Sequence, residues 1–292
     1  METPERSASQ VTDDVDRLSL YQRARRYPRS RIIVEPLLWT KLQLDLLQCT
    51  FTGPHPAPPV IMELDNPAHE DIYKDFAWSF SRPRPRDRPD AMRAIFCSFG
   101  GLLRPLNDLY FAFGSRDLLL SCLAFVVRRE ISSGPVAAAY IDHRQLVRLR
   151  ARKKTYEYAG RQRHTLGLCL GNETNEQFQE PYIVALLIAV AQSQWWFIVK
   201  SGLESQASSI KPMVFFSTDD KESLYLYSAT VSSAFISMFD NPRVPPTAPQ
   251  PLHIQITKIP CKPFETLRNR MYALVFSATT PDGVSIYGRG DV

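Results

Sequence analysis

The sequence predicts one domain of the α/β or α+β class, with a mixed sheet supplied mainly by the C-terminal half and helices packed against it. Strand and helix patterns alternate in that half, which is typical of this class. The composition is ordinary for a globular protein, with 44% hydrophobic and 22% charged residues among 292. We therefore expect a flexible tail over residues 1–30 and a single globular domain over 31–292. Within it, residues 31–140 are predicted to be helical and 141–292 to contain the sheet.

The elements of the N-terminal half are short. Leucines at helical spacing predict an amphipathic helix over residues 35–47. The proline-rich residues 53–59 are expected to form a stiff connector that is not helical. The apolar run 118–127 fits a buried helix or a buried strand, because periodicity alone does not separate the two. Residues 136–140 fit a short strand or the start of a helix.

The C-terminal half is more regular, and the two clearest signals are the proline that opens its longest helix and a strict apolar–polar alternation near residue 254. The predicted order is a strand (165–170), a helix (181–194), a strand (195–200), a hairpin (213–217 and 224–228), a short helix (231–239), a proline-rich loop (241–251), a strand (252–257) and a helix (264–275).

Charge and cysteine usage exclude several classes of protein. The net charge of +5, from 35 basic and 30 acidic residues, does not by itself require nucleic acid. The five cysteines are widely spaced and no CxxC occurs, so neither a disulfide framework nor a cysteine-rich zinc module is expected. Free thiols suit the cytosol or the nucleus. The acidic N-terminus does not resemble a signal peptide, and the longest apolar run is expected to be a buried helix rather than a membrane span.

Common catalytic motifs are absent from the sequence. It contains no GxGxxG, P-loop, GxSxG or HExxH pattern, and no two of its five histidines lie within five residues of each other. We therefore expect no cofactor and no metal. An enzyme whose site is assembled from distant residues stays open as an alternative.

The strongest local feature is a basic segment over residues 144–163, which contains one acidic residue, Glu157, and two interleaved tyrosines. Basic groups beside aromatic rings suit phosphates and stacked bases, so this segment is the candidate site for nucleic acid or another anion. The favoured interpretation is a solvated face that pairs with acids elsewhere in the fold. The basic residues are Arg144, Arg148, Arg150, Arg152, Lys153, Lys154, Arg161 and Arg163.

A minimal nuclease pattern occurs at Asp219, Asp220 and Lys221. It resembles the D-x-K pattern of the restriction-endonuclease-like fold, which needs the acid and the lysine on a strand beside a divalent metal. Here the three residues fall in a polar stretch predicted to be a hairpin turn. A nuclease or other hydrolase is therefore a minor alternative.

Three segments, residues 181–194, 224–246 and 259–266, resemble a lineage-restricted group of filamentous-fungal (ascomycete) proteins. The resemblance covers roughly residues 163–275 and includes the Phe-Asp-Asn-Pro stretch at 239–242. That group has no assigned activity, so no catalytic residue is carried over. The resemblance implies a fungal source, and proteins of this kind are often encoded beside secondary-metabolite biosynthetic enzymes.

Three classes of function follow. The leading one is a non-catalytic accessory or interaction protein with a protein partner, whose stiff proline loops present a surface. The alternatives are a nucleic-acid-binding protein that uses residues 144–163, and an enzyme with a non-local site.

Overall fold

The computed structural model describes residues 18–27, 33–62, 87–97, 102–128, 133–158, 178–220, 222–248 and 250–277. The strands are β1 (Cys49–Pro56), β2 (Leu103–Phe113), β3 (Arg116–Arg128), β4 (Ser133–Asp142), β5 (Ser209–Ile210), β6 (Met213–Ser217), β7 (Ser223–Ala229), β8 (Val231–Ser232) and β9 (Leu252–Pro260). Seven of them form one mixed sheet in the order β1-β9-β7-β6-β4-β3-β2, and β5 pairs with β8. The β4–β6 and β1–β9 pairs are parallel and the other pairs in the sheet are antiparallel.

Helices cover both faces of the sheet. The described residues contain α1 (Leu20–Arg25), α2 (Lys41–Leu46), α3 (Asp87–Cys97), α4 (His143–Tyr158), α5 (Pro181–Lys200), α6 (Ser233–Asp240) and α7 (Phe264–Phe276). One buried cluster joins α5, α2 and α6 to one face of the sheet, and a second joins α3 and α7 to the other face. The predicted class, an α/β fold with a mixed sheet and packed helices, is confirmed.

The distribution of strands along the chain differs from the prediction. Four of the seven sheet strands, β1 to β4, come from the part expected to be helical. The reason is clearest in β3, where Leu120 and Cys122 face one cluster and Leu123 and Phe125 face the other. Because both faces are covered, residues 118–127 are apolar except for Ser121 and show no alternation that would distinguish the strand from a buried helix.

Helix α5 is longer than predicted, and the strand expected over residues 195–200 is wrong. Its start follows from the sequence, because Pro181 occupies the first turn and the Glu180 carboxylate accepts the backbone N–H of Tyr182. Towards its end, Gln194 and Ile198 are buried, whereas Trp196 between them is 67% exposed. A strand would place these three side chains on one face, whereas a helix places Gln194 and Ile198 on one face and Trp196 on the opposite one.

The same helix is the only one in the described ranges that is long and apolar enough to cross a membrane. Its most apolar 18 residues have a mean hydropathy of 1.7, and 72% of that stretch is buried inside the fold. This burial identifies α5 as the core helix that covers the sheet.

Most of the other C-terminal predictions are confirmed. The hairpin is β6–β7, the alternating strand is β9, and the two short helices are α6 and α7. The strand predicted over residues 165–170 lies outside the described residues. Part of the predicted tail is ordered, because α1 packs on the domain: its Arg23 is 1% exposed and donates from Nη1 to the carbonyl of Leu46 at 2.9 Å.

Candidate functional site

Helix α4 contains residues 144–158 of the predicted basic segment, and its Arg150 connects this helix to neighbouring parts of the fold. Arg150 donates to both oxygens of Glu180, at 2.6 and 3.1 Å, and from Nε to the carbonyl of Leu37 at 3.1 Å. Such bidentate pairs are among the strongest charged contacts in proteins. The Glu180 carboxylate also caps the N-terminus of α5, because it accepts the backbone N–H of Tyr182. Arg150 therefore joins α4 to the first turn of the core helix.

Two further basic residues of α4 contact acids from distant segments. Lys153 pairs with Glu35, and Arg144 donates from Nε to Asp219 at 2.6 Å. These contacts agree with the interpretation that the basic face pairs with acids elsewhere in the fold.

Three of the remaining five predicted residues, Arg148, Arg152 and Lys154, also lie on α4. Arg148 and Arg152 are exposed, and neither forms an ion pair with any residue in the described ranges. Lys154 continues the helix, while Arg161 and Arg163 lie outside the described residues. The structure therefore leaves two of these cations available to an anion, four residues apart on one helix face.

A buried polar network, not predicted from the sequence, lies where the parallel strands β4 and β6 end. Asp142 is 1% exposed and accepts hydrogen bonds from Ser217 Oγ at 2.8 Å, Arg88 Nη1 at 3.2 Å and the backbone N–H of Arg144 at 2.8 Å. The Tyr140 hydroxyl lies 2.8 Å from Ser217 Oγ. Arg88 of α3 also bonds the carbonyl of Thr218.

This network is suited to holding the fold rather than to proton transfer. The Asp142 carboxylate already accepts three hydrogen bonds, one of them from a buried guanidinium. Burial, reinforced by the nearby Asp142 charge, raises the pKa of Tyr140 far above its usual value, so its hydroxyl stays protonated. The network fixes α3 to the ends of the two parallel strands.

The nuclease pattern lies in the turn between β6 and β7, as the sequence predicts. Asp219 pairs with Arg144, and Asp220 Oδ1 accepts the backbone N–H of Glu222 at 2.8 Å. Lys221 lies outside the described residues. Neither acid is on a strand, so the geometry that a D-x-K site requires is not formed here.

Metal-ligating side chains do not gather into a site in the described ranges. No group of three or more His, Cys, Asp or Glu residues there is placed to hold a metal ion. The four described cysteines are free thiols. Burial raises the pKa of Cys97 to about 11 and those of Cys49, Cys122 and Cys261 to about 12, so these thiols stay protonated near neutral pH.

The described residues enclose a cavity of about 730 Å³ between α1, residues 33–47, the turn between β2 and β3, and the end of α6. We call it the aromatic cavity, because five of its lining residues are aromatic: Tyr21, Trp39, Phe111, Phe113 and Phe239. Aliphatic residues of the same four segments complete the wall, among them Val34, Leu47 and Leu118.

The aromatic rings pack edge to face. The ring centroids of Trp39 and Phe111 are 5.6 Å apart, with an angle of 88° between the ring planes. For Phe111 and Phe239 the centroid distance is 5.6 Å and the interplanar angle is 76°. Phe113 meets Phe239 at 6.4 Å and 69°. These are the geometries that aromatic quadrupoles favour, so the rings hold one another in place.

Two backbone hydrogen bonds connect the segments around the cavity. Gly114 donates to the carbonyl of Phe239 at 2.7 Å, and Tyr21 donates to the carbonyl of Pro242 at 3.0 Å. Gly114 has a φ of +60°, which glycine adopts without strain in this tight turn. The β2–β3 turn, α1 and the start of the proline-rich loop are thereby held together.

Charged side chains also line the aromatic cavity. Glu35 is paired with Lys153 of α4, whereas Asp240, Arg116 and Arg243 form no ion pair with any residue that the structure describes. Arg243 lies over the ring of Tyr21 at 5.6 Å. Burial raises the pKa of Asp240 above its usual value. The cavity thus combines apolar walls with two available guanidinium groups.

Sequence reasoning missed this cavity because its walls come from four distant segments, none of which carries a motif. The available signal was the proline-rich loop, which the sequence identified as stiff and able to present a surface; its Pro242 lines the cavity. The tryptophan pair at residues 195–196 does not line it, and Trp196 lies exposed beneath Lys200.

Comparison with known proteins adds no family to this description. No known protein-family model matches the chain. No curated protein matches it either.

Proposed function

We propose that this protein is a non-catalytic accessory protein that acts by binding, and that the aromatic cavity is its binding site. The observation that carries the proposal is the cavity itself. Its volume of about 730 Å³ falls within the roughly 300–1,000 Å³ of typical small-molecule sites, which are likewise mostly apolar with a few polar groups.

The placement of the charged clusters supports a binding role. Three basic residues of α4 are bonded to acids of the same fold, and Asp142 is fully bonded within a buried network. These groups hold helices and strands of the fold to one another. Of the charged residues that line the cavity, Asp240, Arg116 and Arg243 have no such partners among the described residues.

An uncharged fluorescent probe, N-phenyl-1-naphthylamine, tests the binding site. The matched variants are Leu118→Trp and Leu119→Trp, neighbours in β3: Leu118 lines the cavity, whereas Leu119 is 52% exposed and does not. We expect the first variant to weaken probe binding by about tenfold or more, because the indole projects into the cavity and takes up space that the probe needs, and the second to bind as the wild type does. Equal binding by all three proteins would exclude the cavity as the site.

The fungal setting is a further part of the proposal. The resemblance to ascomycete proteins supports an accessory role beside enzymes of a secondary-metabolite pathway, with a protein partner, in the cytosol or nucleus. Deletion of the gene is expected to change the metabolite profile of the source cells. A profile in which every metabolite is unchanged would contradict the pathway assignment.

A second candidate function is nucleic-acid binding, favoured by the exposure of Arg148 and Arg152 on one face of α4. Binding to single-stranded DNA is expected to weaken steeply with salt. The double variant Arg148→Glu/Arg152→Glu reverses two cations of α4 that form no ion pair with a described residue, while Lys258→Glu/Lys262→Glu makes the same charge change at exposed sites elsewhere. Selective loss in the first variant supports this function, and equal loss in both, or a flat salt response, rejects it.

A further inference from the structure

The aromatic cavity has a charge distribution that indicates which ligands it favours. Of the four charged residues in its lining, Glu35 is neutralised by Lys153. That leaves two guanidinium groups, Arg116 and Arg243, against one carboxylate, Asp240. The charges available to a ligand are therefore positive on balance.

Arginine is the side chain best suited to bind a planar anion. Its guanidinium offers a rigid fork of donors that matches a carboxylate, and it also stacks on aromatic rings. Arg243 already lies over the ring of Tyr21, which restricts its position while leaving its donors without an ion-pair partner in the described part of the chain. Arg116 is exposed at the start of β3, beside the turn that borders the cavity.

The aromatic lining of the cavity indicates the chemistry of the uncharged part of the same ligand. Five aromatic side chains line the cavity, and three of the contacts between them are edge to face. A flat aromatic ring system gains both the burial of apolar surface and further edge-to-face contacts in such a site. An aliphatic chain of the same area gains only the burial.

We propose, building on the binding function proposed above, that the ligand is a drug-sized planar aromatic acid, with its ring system between the aromatic walls and its anionic group bound by Arg116 and Arg243. In this proposal the Asp240 carboxylate, which lines the same cavity, accepts a hydrogen bond from a hydroxyl or N–H group of the ligand.

Two fluorescent probes that share an aromatic skeleton test this inference. 1-Anilinonaphthalene-8-sulfonate carries an anion, whereas N-phenyl-1-naphthylamine does not. We expect the sulfonate to bind the wild-type protein more tightly, and its affinity to fall by about tenfold or more in Arg116→Gln/Arg243→Gln. The uncharged probe is expected to bind that variant within about twofold of the wild type, because the aromatic walls are intact.

The controls separate the two proposals. Lys258→Gln/Lys262→Gln removes the same charge from exposed positions outside the cavity, so it leaves both affinities unchanged if the arginines act locally. Equal effects of the two double variants, or equal binding of the two probes, would overturn the aromatic-acid inference while leaving the binding function intact. Failure of the uncharged probe to respond to Leu118→Trp would overturn the binding function itself. The single variants Arg116→Gln and Arg243→Gln, and the salt dependence of sulfonate binding to the wild type, provide the same test should the double variant fail to fold.

Discussion

The basic face of α4 and the aromatic cavity use positive charge in opposite ways. On α4, Arg144, Arg150 and Lys153 meet acids from three distant segments and fasten helices and turns to one another. In the cavity, Arg116 and Arg243 lie beside apolar walls and form no ion pair with the described residues. The density of charge along a sequence therefore does not indicate which charges are available to a ligand.

The largest change in the free energy of unfolding is expected at the buried ion pair between Asp142 and Arg88. Asp142→Ala leaves the guanidinium of Arg88 buried without its carboxylate, and we expect a loss of about 3–5 kcal/mol in the free energy of unfolding. Chemical denaturation with urea measures it. The double variant Arg88→Met/Asp142→Leu replaces the pair by apolar groups and is expected to be considerably more stable than Asp142→Ala. Equal losses in both variants would show that burial of the uncompensated charge is not the cause.

A smaller change in unfolding free energy is expected for one arginine of α4, Arg150, and almost none for another, Arg148. Arg150→Gln removes a bidentate, partly buried pair with Glu180, and we expect a loss of about 2 kcal/mol in unfolding free energy. Arg148→Gln, two residues earlier on an exposed position, is expected to change stability by less than about 0.5 kcal/mol. Similar urea midpoints for the two variants would remove the distinction between structural and available charges on α4.

The smallest expected effect is a pH-dependent contribution of Asp219 to the free energy of unfolding. Burial opposes ionisation of Asp219, but the hydrogen bond and charge of Arg144 outweigh it, so the pKa of this carboxyl lies below its ordinary 3.8. A lowered pKa in the folded state contributes stability above the ordinary pKa, and this contribution is lost as the pH falls through the lowered value. Because the Asp219 side chain is 60% exposed, we expect the contribution to stay below about 1 kcal/mol.

The variant Arg144→Gln measures this contribution. Its stability deficit relative to the wild type is expected to be full at about pH 6 and to disappear towards about pH 2, because the carboxylate is then protonated in both states. Thermal unfolding across this pH range shows it. A deficit that does not change with pH would assign the effect of Arg144 to packing instead of to its pair with Asp219.

Elements that are determined by local pattern could be predicted from the sequence. The alternation in β9, the polar turn of the β6–β7 hairpin and the proline at the start of α5 each predicted the element that the structure contains. β3 was ambiguous because it is buried on both faces, and the end of α5 was misjudged because bulky apolar residues are typical of strands as well. In both cases the packing partners, and not the local sequence, determine the element.

The candidate site was less predictable than the fold. The pairing of the α4 cations with acids was anticipated as a class of contact, but Glu35, Glu180 and Asp219 are distant from α4 in sequence. The aromatic cavity joins Trp39 to Phe111 and Phe239 through tertiary packing alone. No spacing within one segment encodes such a site, so only the folded arrangement makes it visible.

The most direct test of the central claim is to locate a bound probe by nuclear magnetic resonance. The indole N–H signals of Trp39, which lines the cavity, and Trp196, which is exposed elsewhere, can be assigned by substituting each tryptophan with phenylalanine. On titration with N-phenyl-1-naphthylamine, we expect the Trp39 signal to shift in proportion to saturation while the Trp196 signal does not move. Saturable binding that leaves the Trp39 signal unchanged would contradict the assignment of the aromatic cavity as the binding site.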